Sequence, residues 1–197
     1  MFTLMQERSV GSVGSWAVGL VVCGAFCASA RVDLRGAVVV APAGATVPEQ
    51  KAVDMLLDEV EARTLVRWPV QEAWPAEGQA VIAVGQVQAL ASMPQTAGML
   101  GSEAPAGAEG YVIKTTPNAV VIAGADQRGV LFGVGRLLRE MRLTRQEVTV
   151  AEGLSINTTP ALSLRGHQIG FRPKVNTYDA WTVPMWEQYY RDMIIFG

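Results

Sequence analysis

Two apolar runs flanking Pro117-Asn118 constrain the fold of this chain more than any other feature. Glu109 to Thr116 precedes the pair and Ala119 to Gly124 follows it, so the stretch reads as a β-hairpin with its turn at the Pro-Asn. Asp126 then stands where a helix N-cap belongs. Val130, Val134, Leu137, Leu138 and Met141 recur on one face of the helix that follows, and Arg136, Arg139, Glu140 and Arg142 take the rest of its surface. Gly129, Gly133 and Gly135 lower its intrinsic propensity, so their bare surface is expected to serve close approach to a sheet. A hairpin running straight into an amphipathic helix calls for a sheet with helices layered on it. The expected class is therefore α/β: a small domain with a mixed sheet and helices packed on it.

The upstream sequence supplies further strands and helices. Ala37 to Ala41 is a β-branched run closed by Pro42 and reads as a buried strand. Pro48 opens a helix with Val53, Leu56, Leu57 and Val60 on its apolar face, while Glu49, Lys51, Asp54, Asp58, Glu61 and Arg63 read as a solvated face. Val66 to Val70 is a second strand candidate, interrupted by Pro69, and Ala80 to Gly85 is a clearer one, followed by a short helix over Gln86 to Ala91. Residues 92–108, rich in Ser, Gly, Ala and Pro, read as a loop. Downstream, Val148 to Val150 and Leu154 to Ile156 are short strands, and Asn157-Thr158-Thr159-Pro160 is a turn that marks a domain boundary. Leu162-Ser163-Leu164 reads as a further strand, and Thr182 caps a final helix with Pro184 in its first turn and Trp186, Tyr190 and Met193 as its seam.

Composition and motifs exclude several function classes. A net charge of −2 is not that of a nucleic-acid binder. Gly124 and Gly129 have the spacing that begins a phosphate-binding loop, but Val130-Leu131 stand where Lys and Ser/Thr are required. Gly133 and Gly135 lie inside the helix and lack the third glycine of a dinucleotide fingerprint. The N-terminal residues resemble a secretory signal peptide, with an apolar run from Trp16 to Phe26 and an Ala28-Ser29-Ala30 cleavage signal. The run is shorter than a membrane span, so the mature chain is expected to be secreted or periplasmic, beginning at Arg31. Lipidation at Cys23 or Cys27 is the lesser alternative. Cleavage removes both cysteines, and with a single histidine the mature chain has no multi-histidine metal site and no thiolate chemistry. No cofactor is implied.

Several pieces in order carry a family resemblance. Glu109-Gly110-Tyr111-Val112-Ile113, then Val121 to Asp126, then Gly129-Val130-Leu131-Phe132-Gly133 and Leu137-Leu138-Arg139, lead through Pro160 to Leu164-Arg165-Gly166. Their order and spacing resemble the small α/β domain that precedes the catalytic barrel in glycoside hydrolase family 20 β-N-acetylhexosaminidases, and the equivalent domain of α-glucuronidases. The resemblance implies a domain over residues 31–158, followed over residues 159–197 by the first β-α unit of a (β/α)₈ barrel. It implies a carbohydrate substrate, with the catalytic Asp-Glu pair on the remainder of the barrel and none in these residues. By the same match Arg165 begins the first barrel strand and holds sugar hydroxyls, for which a guanidinium's fixed fork is suited. The sequence departs from the family after that strand, where His167-Gln168-Ile169-Gly170-Phe171-Arg172 replaces the usual Asp-containing motif.

The density of polar and aromatic side chains in this last segment makes Arg165, His167, Gln168, Arg172 and Trp181 the candidate substrate contacts. Seven of the fourteen aromatic residues fall between Phe171 and Phe196, a mixture of stacking faces and hydrogen-bonding groups that suits a glycan. Simpler roles stand beside these: Arg165 as an ion-pair partner between domains, His167 as a structural histidine, and Trp181 as packing for the final helix. The expected activity is that of a glycoside hydrolase whose barrel completes the site. A non-catalytic carbohydrate-binding or domain-stabilising module is the alternative.

Overall fold

The computed structural model describes residues 30–76, 78–167 and 177–196. The signal-peptide expectation, Gln168 and Arg172 therefore lie outside the described residues. Two sheets form. The larger contains β2 (Val38–Val40), β3 (Val70–Gln71), β4 (Val81–Gln86), β5 (Tyr111–Thr116), β6 (Ala119–Gly124) and β9 (Ser155–Thr158), in the order β3-β2-β4-β6-β5-β9. The smaller joins β1 (Arg31–Asp33), β8 (Val148–Ala151) and β7 (Arg142–Leu143).

The hairpin is present at the expected register, from Tyr111 opposite Gly124 to Thr116 opposite Ala119. β6 runs parallel to β4, β4 to β2, and β2 to β3. Parallel neighbours need crossovers, and these place helices on both faces, which is why β2, β4 and β6 read as continuous apolar runs rather than alternating ones. On one face Val39, Ile82, Val84, Ile113, Val120 and Ile122 pack against α1 (Val47–Thr64) and α4 (Gln127–Glu140). On the other, Val40, Val81, Ala83, Val112 and Val121 meet Leu90 of α2 (Val87–Ala91) and Leu100 of α3 (Pro94–Leu100). The small sheet joins the first core through Val32, Val148 and Val150. Buried Thr115 ties the two sheets, its hydroxyl donating to Ala151 O (2.7 Å) and accepting from Leu154 N (2.8 Å).

The structure corrects several expectations. Residues 92–108 are not all loop, because α3 occupies Pro94–Leu100. Its propensity is poor, but Pro94 is favourable at a helix start, Thr96 donates to the carbonyls of Leu90 and Met93, and Leu100 is buried on the sheet. Asn157 and Thr158 are not a turn. They belong to β9 and pair with Val112 and Tyr111, since the edge of β5 would otherwise present unpaired backbone groups. Glu49 is not part of a solvated face. It is only 6% exposed, and its carboxylate accepts from the Thr46 N–H (2.8 Å) and hydroxyl (2.7 Å) at the helix start and from Gln86 at the end of β4.

Burial pushes the Glu49 carboxyl up, but the hydrogen bonds from Thr46 and Gln86 outweigh it and hold the group below its ordinary value. A depressed folded-state pKa stabilises the fold above the unfolded value of about 4.3, and that stability is lost as pH falls through the folded value. Urea midpoints measured from pH 6 down to pH 3 are expected to fall, and to fall less steeply in Glu49→Gln. Equal slopes in the two proteins would contradict this account.

The final helix, α5 (Val183–Phe196), follows a single 3₁₀ turn at Thr177–Ala180. Its buried contact is not the expected Trp186-Tyr190-Met193 seam, because Tyr190 is 52% exposed whereas Ile195 is buried. α5 instead lays Ile194 and Ile195 against Gly135 of α4, where a Cβ would stand 2.7 Å from Ile194 O. Arg191 pairs with Asp58 of α1 at 2.9 Å. Of the three α4 glycines, Gly133 serves the sheet as expected, since a Cβ there would lie 2.7 Å from Ile122 Cγ2, while Gly135 serves α5. Among the described residues no helix is long and apolar enough to cross a membrane.

Candidate functional site

The site begins at the corner where the hairpin and α4 meet. Asp126 caps α4, its Oδ1 accepting from Arg128 N (3.0 Å) and Gly129 N (2.8 Å), while Oδ2 accepts from Glu109 N (2.8 Å). One carboxylate thus pins the start of α4 and the entry to β5. Burial raises the Asp126 carboxyl, but the backbone donors of Glu109, Gly129 and Arg128, together with the Arg128 charge, hold it below its ordinary value. Asp126→Ala is expected to cost about 1–2 kcal/mol, the upper part of the range for a lost cap, because the Glu109 N–H loses its acceptor as well. Urea denaturation checks this, and an unchanged midpoint would show that the cap does not matter.

Glu109 itself sits in the left-handed region at φ 60°, a conformation uncommon for a residue other than glycine. Its side chain is 13% exposed and lies between two guanidinium groups. Arg128 Nη1 approaches Oε1 at 2.7 Å and Arg165 Nη2 donates to Oε2 at 2.6 Å. Arg165 also donates from Nη1 to Leu162 O (2.9 Å), and its guanidinium carbon lies 5.1 Å from the centroid of the Phe132 ring, within cation–π range. Glu109, Arg128, Phe132 and Arg165 form one wall of a cavity of about 450 Å³, which Leu164, His167, Tyr190, Met193 and Phe196 also line.

The candidate residues fare differently. Arg165 lies at the centre of this arrangement. His167 lines the same cavity and is held by a hydrogen bond between its Nδ1 and the Tyr189 hydroxyl of α5. Trp181 is half-buried in an aromatic cluster, its ring 5.0 Å from Trp186, 5.4 Å from Tyr189 and 6.2 Å from Tyr178. Among the described residues it does not line the cavity, and its contacts are those of packing at the start of α5. The strand expected at Leu162 to Leu164 is not formed: the backbone is irregular, with Leu162 67% and Leu164 90% exposed. A barrel strand needs a neighbour on each side, and the described residues offer this segment none. What holds Arg165 here is its own side chain, not a strand.

Glu109, Arg128 and Phe132 were not singled out by sequence reasoning. The sequence pattern places Glu109 at the first residue of a strand. One signal was present: a carboxylate directly before a buried run, followed by glycine, has no structural use in the strand itself.

The fold agrees with the comparisons to known proteins. The model of glycosyl hydrolase family 20, domain 2, matches residues 28–158. No curated protein matches the sequence. Among solved structures, CpGH84B matches with a TM-score of 0.54 and 19% identity, covering 76% of this chain and 24% of that one. The family GH115 4-O-methyl-α-glucuronidase BtGH115A matches with a TM-score of 0.55 and 14% identity, covering 84% and 24%. The GH20 β-N-acetylhexosaminidase from Streptomyces coelicolor A3(2) matches with a TM-score of 0.49 and 20% identity, covering 68% and 24%. The likeness to CpGH84B and BtGH115A is one of fold, and the chain spans about a quarter of the length of each of the three structures. The hairpin, the capped glycine-bearing helix and the parallel strands beside them all fall within the matched residues, and on that match the chain belongs to glycosyl hydrolase family 20, through its domain 2.

Proposed function

We propose that the chain is the N-terminal portion of a secreted glycoside hydrolase that cleaves O-glycosyl bonds of N-acetylhexosaminides. Its catalytic acids would lie on a barrel C-terminal to the residues described. The observation that carries this reading is the family 20 domain 2 match over residues 28–158, with Arg165 anchored to that domain just beyond it. The apolar surface around Leu162, Leu164, Val183 and Phe196, each at least 67% exposed, supports a further domain packing against this face. In this reading Arg165 is the principal substrate contact, with His167, Gln168 and Arg172 as further contacts, and Trp181 packs the start of α5. Export is supported by the apolar run ending at Ala30, and the mature protein should begin at Arg31.

The test uses the full-length protein with p-nitrophenyl N-acetyl-β-glucosaminide and a 4-O-methylglucuronide. Turnover of the first is expected, and Arg165→Ala should lower kcat/KM by about 100-fold, the loss of two charge-assisted hydrogen bonds. Turnover of the glucuronide alone would reassign the substrate, and turnover of neither would sink the hydrolase reading. A carbohydrate-binding role without catalysis is the second reading, favoured by the cavity of about 450 Å³ with its arginine and aromatic walls. N-acetylglucosamine binding by this 197-residue chain, lost in Arg165→Ala, would support it.

A further inference from the structure

We propose that Glu109 is a positioning residue for Arg165. Its carboxylate sets the direction of the guanidinium before any sugar is bound. The inference rests on the reading of Arg165 as a sugar contact.

The backbone around Arg165 does not fix that side chain. The residue follows 90% exposed Leu164 on a segment without helix or strand, so the direction of its side chain must come from its partners. The Phe132 face and the Leu162 carbonyl are two of these, but neither is charged. Glu109 supplies the charged one, and it is itself immobilised. Its N–H is bound to Asp126, and the next residue is held by Gly110 N to Gly107 O (3.0 Å) and Ala125 N to Gly110 O (2.9 Å). Arg128 occupies the other carboxylate oxygen, so the carboxylate cannot swing away to follow Arg165. The hydrogen-bonded corner orients the irregular segment, not the reverse.

The arrangement leaves capacity for a ligand. A guanidinium has five N–H donors, and the bonds to Glu109 and Leu162 use two of them. Two guanidinium groups about one carboxylate leave a net charge of +1, so anchoring does not cancel the positive character of the site. A simple domain staple would need only the attraction of opposite charges. Positioning needs a particular bond on a particular nitrogen.

Glu109→Gln keeps the size and the left-handed backbone residue but removes the charge. In this chain, ¹⁵N relaxation of the Arg165 Nε–Hε group is expected to report an ordered side chain, with an order parameter near about 0.8, that falls below about 0.6 in Glu109→Gln while the backbone amide spectrum elsewhere is unchanged. An Arg165 group already mobile in the parent, or equally ordered in the variant, would overturn the proposal. In the full-length enzyme the same variant should raise KM for the N-acetylhexosaminide about tenfold with kcat within about twofold, the signature of lost uniform binding. A lower thermal midpoint with KM unchanged would leave only a staple and would also overturn it. If the parent enzyme turns over no N-acetylhexosaminide, the hydrolase reading fails and the relaxation measurement decides the positioning role alone. Should Glu109→Gln not fold, Arg165→Lys interrogates the same bond from the other side. The Glu109 carboxyl ¹³C shift is then expected to move, and an unmoved shift would refute the proposal.

Discussion

Gly129→Ala is expected to destabilise the protein by about 3 kcal/mol, although helix propensity alone predicts a gain of about 1 kcal/mol. Gly129 lies in the first turn of α4, and a Cβ there would overlap the Gly110 carbonyl oxygen, far inside the 3.0 Å that real Cβ contacts respect. The obstacle is backbone, so no rotamer change relieves it. Gly110 cannot withdraw without breaking the bond from Ala125 N (2.9 Å) and disturbing that between Glu109 N and Asp126 (2.8 Å). Either α4 lifts from the hairpin entry or the entry unpairs. Both routes carry Glu109 away from Arg165, so the variant should also loosen the segment beyond β9. The urea midpoint measures the loss, and a midpoint at or above that of the parent would mean that propensity dominates and that the close approach is unimportant.

Leu137→Ala should cost about 3 kcal/mol, within the range for large-to-small changes in a tight core. Leu137 is fully buried in the core that α4 shares with α1 and the main sheet. Its removal leaves a void between three elements that cannot all move together, because α1 is tied at its start through Glu49 to Thr46 and Gln86, and β6 is paired on both sides. Leu131, on the same helix but only partly buried, provides the control. Leu131→Ala should cost about 1 kcal/mol, in proportion to the smaller apolar area lost. Equal losses at the two positions would show that helix formation, not packing, sets the cost.

Much of the fold was legible because its signals are local. The hairpin declared itself through two apolar runs and a turn pair, and Asp126 through its position before a periodic helix. Neither needs knowledge of a distant partner. The elements that escaped are those whose stability comes from elsewhere in the chain. β1 and β7 are three and two residues long and exist because each pairs with β8. α3 holds against its own weak propensity because Leu100 is buried on the sheet. The reverse error, a strand expected at Leu162 to Leu164, has the same source. The sequence has the apolar character of a strand, but a strand is a pairing, and the described residues supply no partner.

The candidate site divides along that line. Family membership could be reached from the order of motifs, and Arg165 marked as a candidate contact, since each motif is a short contiguous pattern. The partner of Arg165 could not. Glu109 lies 56 residues away, and neither periodicity nor propensity links a carboxylate before one strand to a guanidinium beyond another. The sequence alone determined an α/β domain with a hairpin packed under a glycine-bearing helix, because side-chain period and turn chemistry act over a few residues. Only the tertiary structure decided that the corner of this hairpin, Asp126 and Glu109 with Arg128, holds Arg165. An ion pair of this kind depends on distance in space, which the fold sets and the order of residues does not.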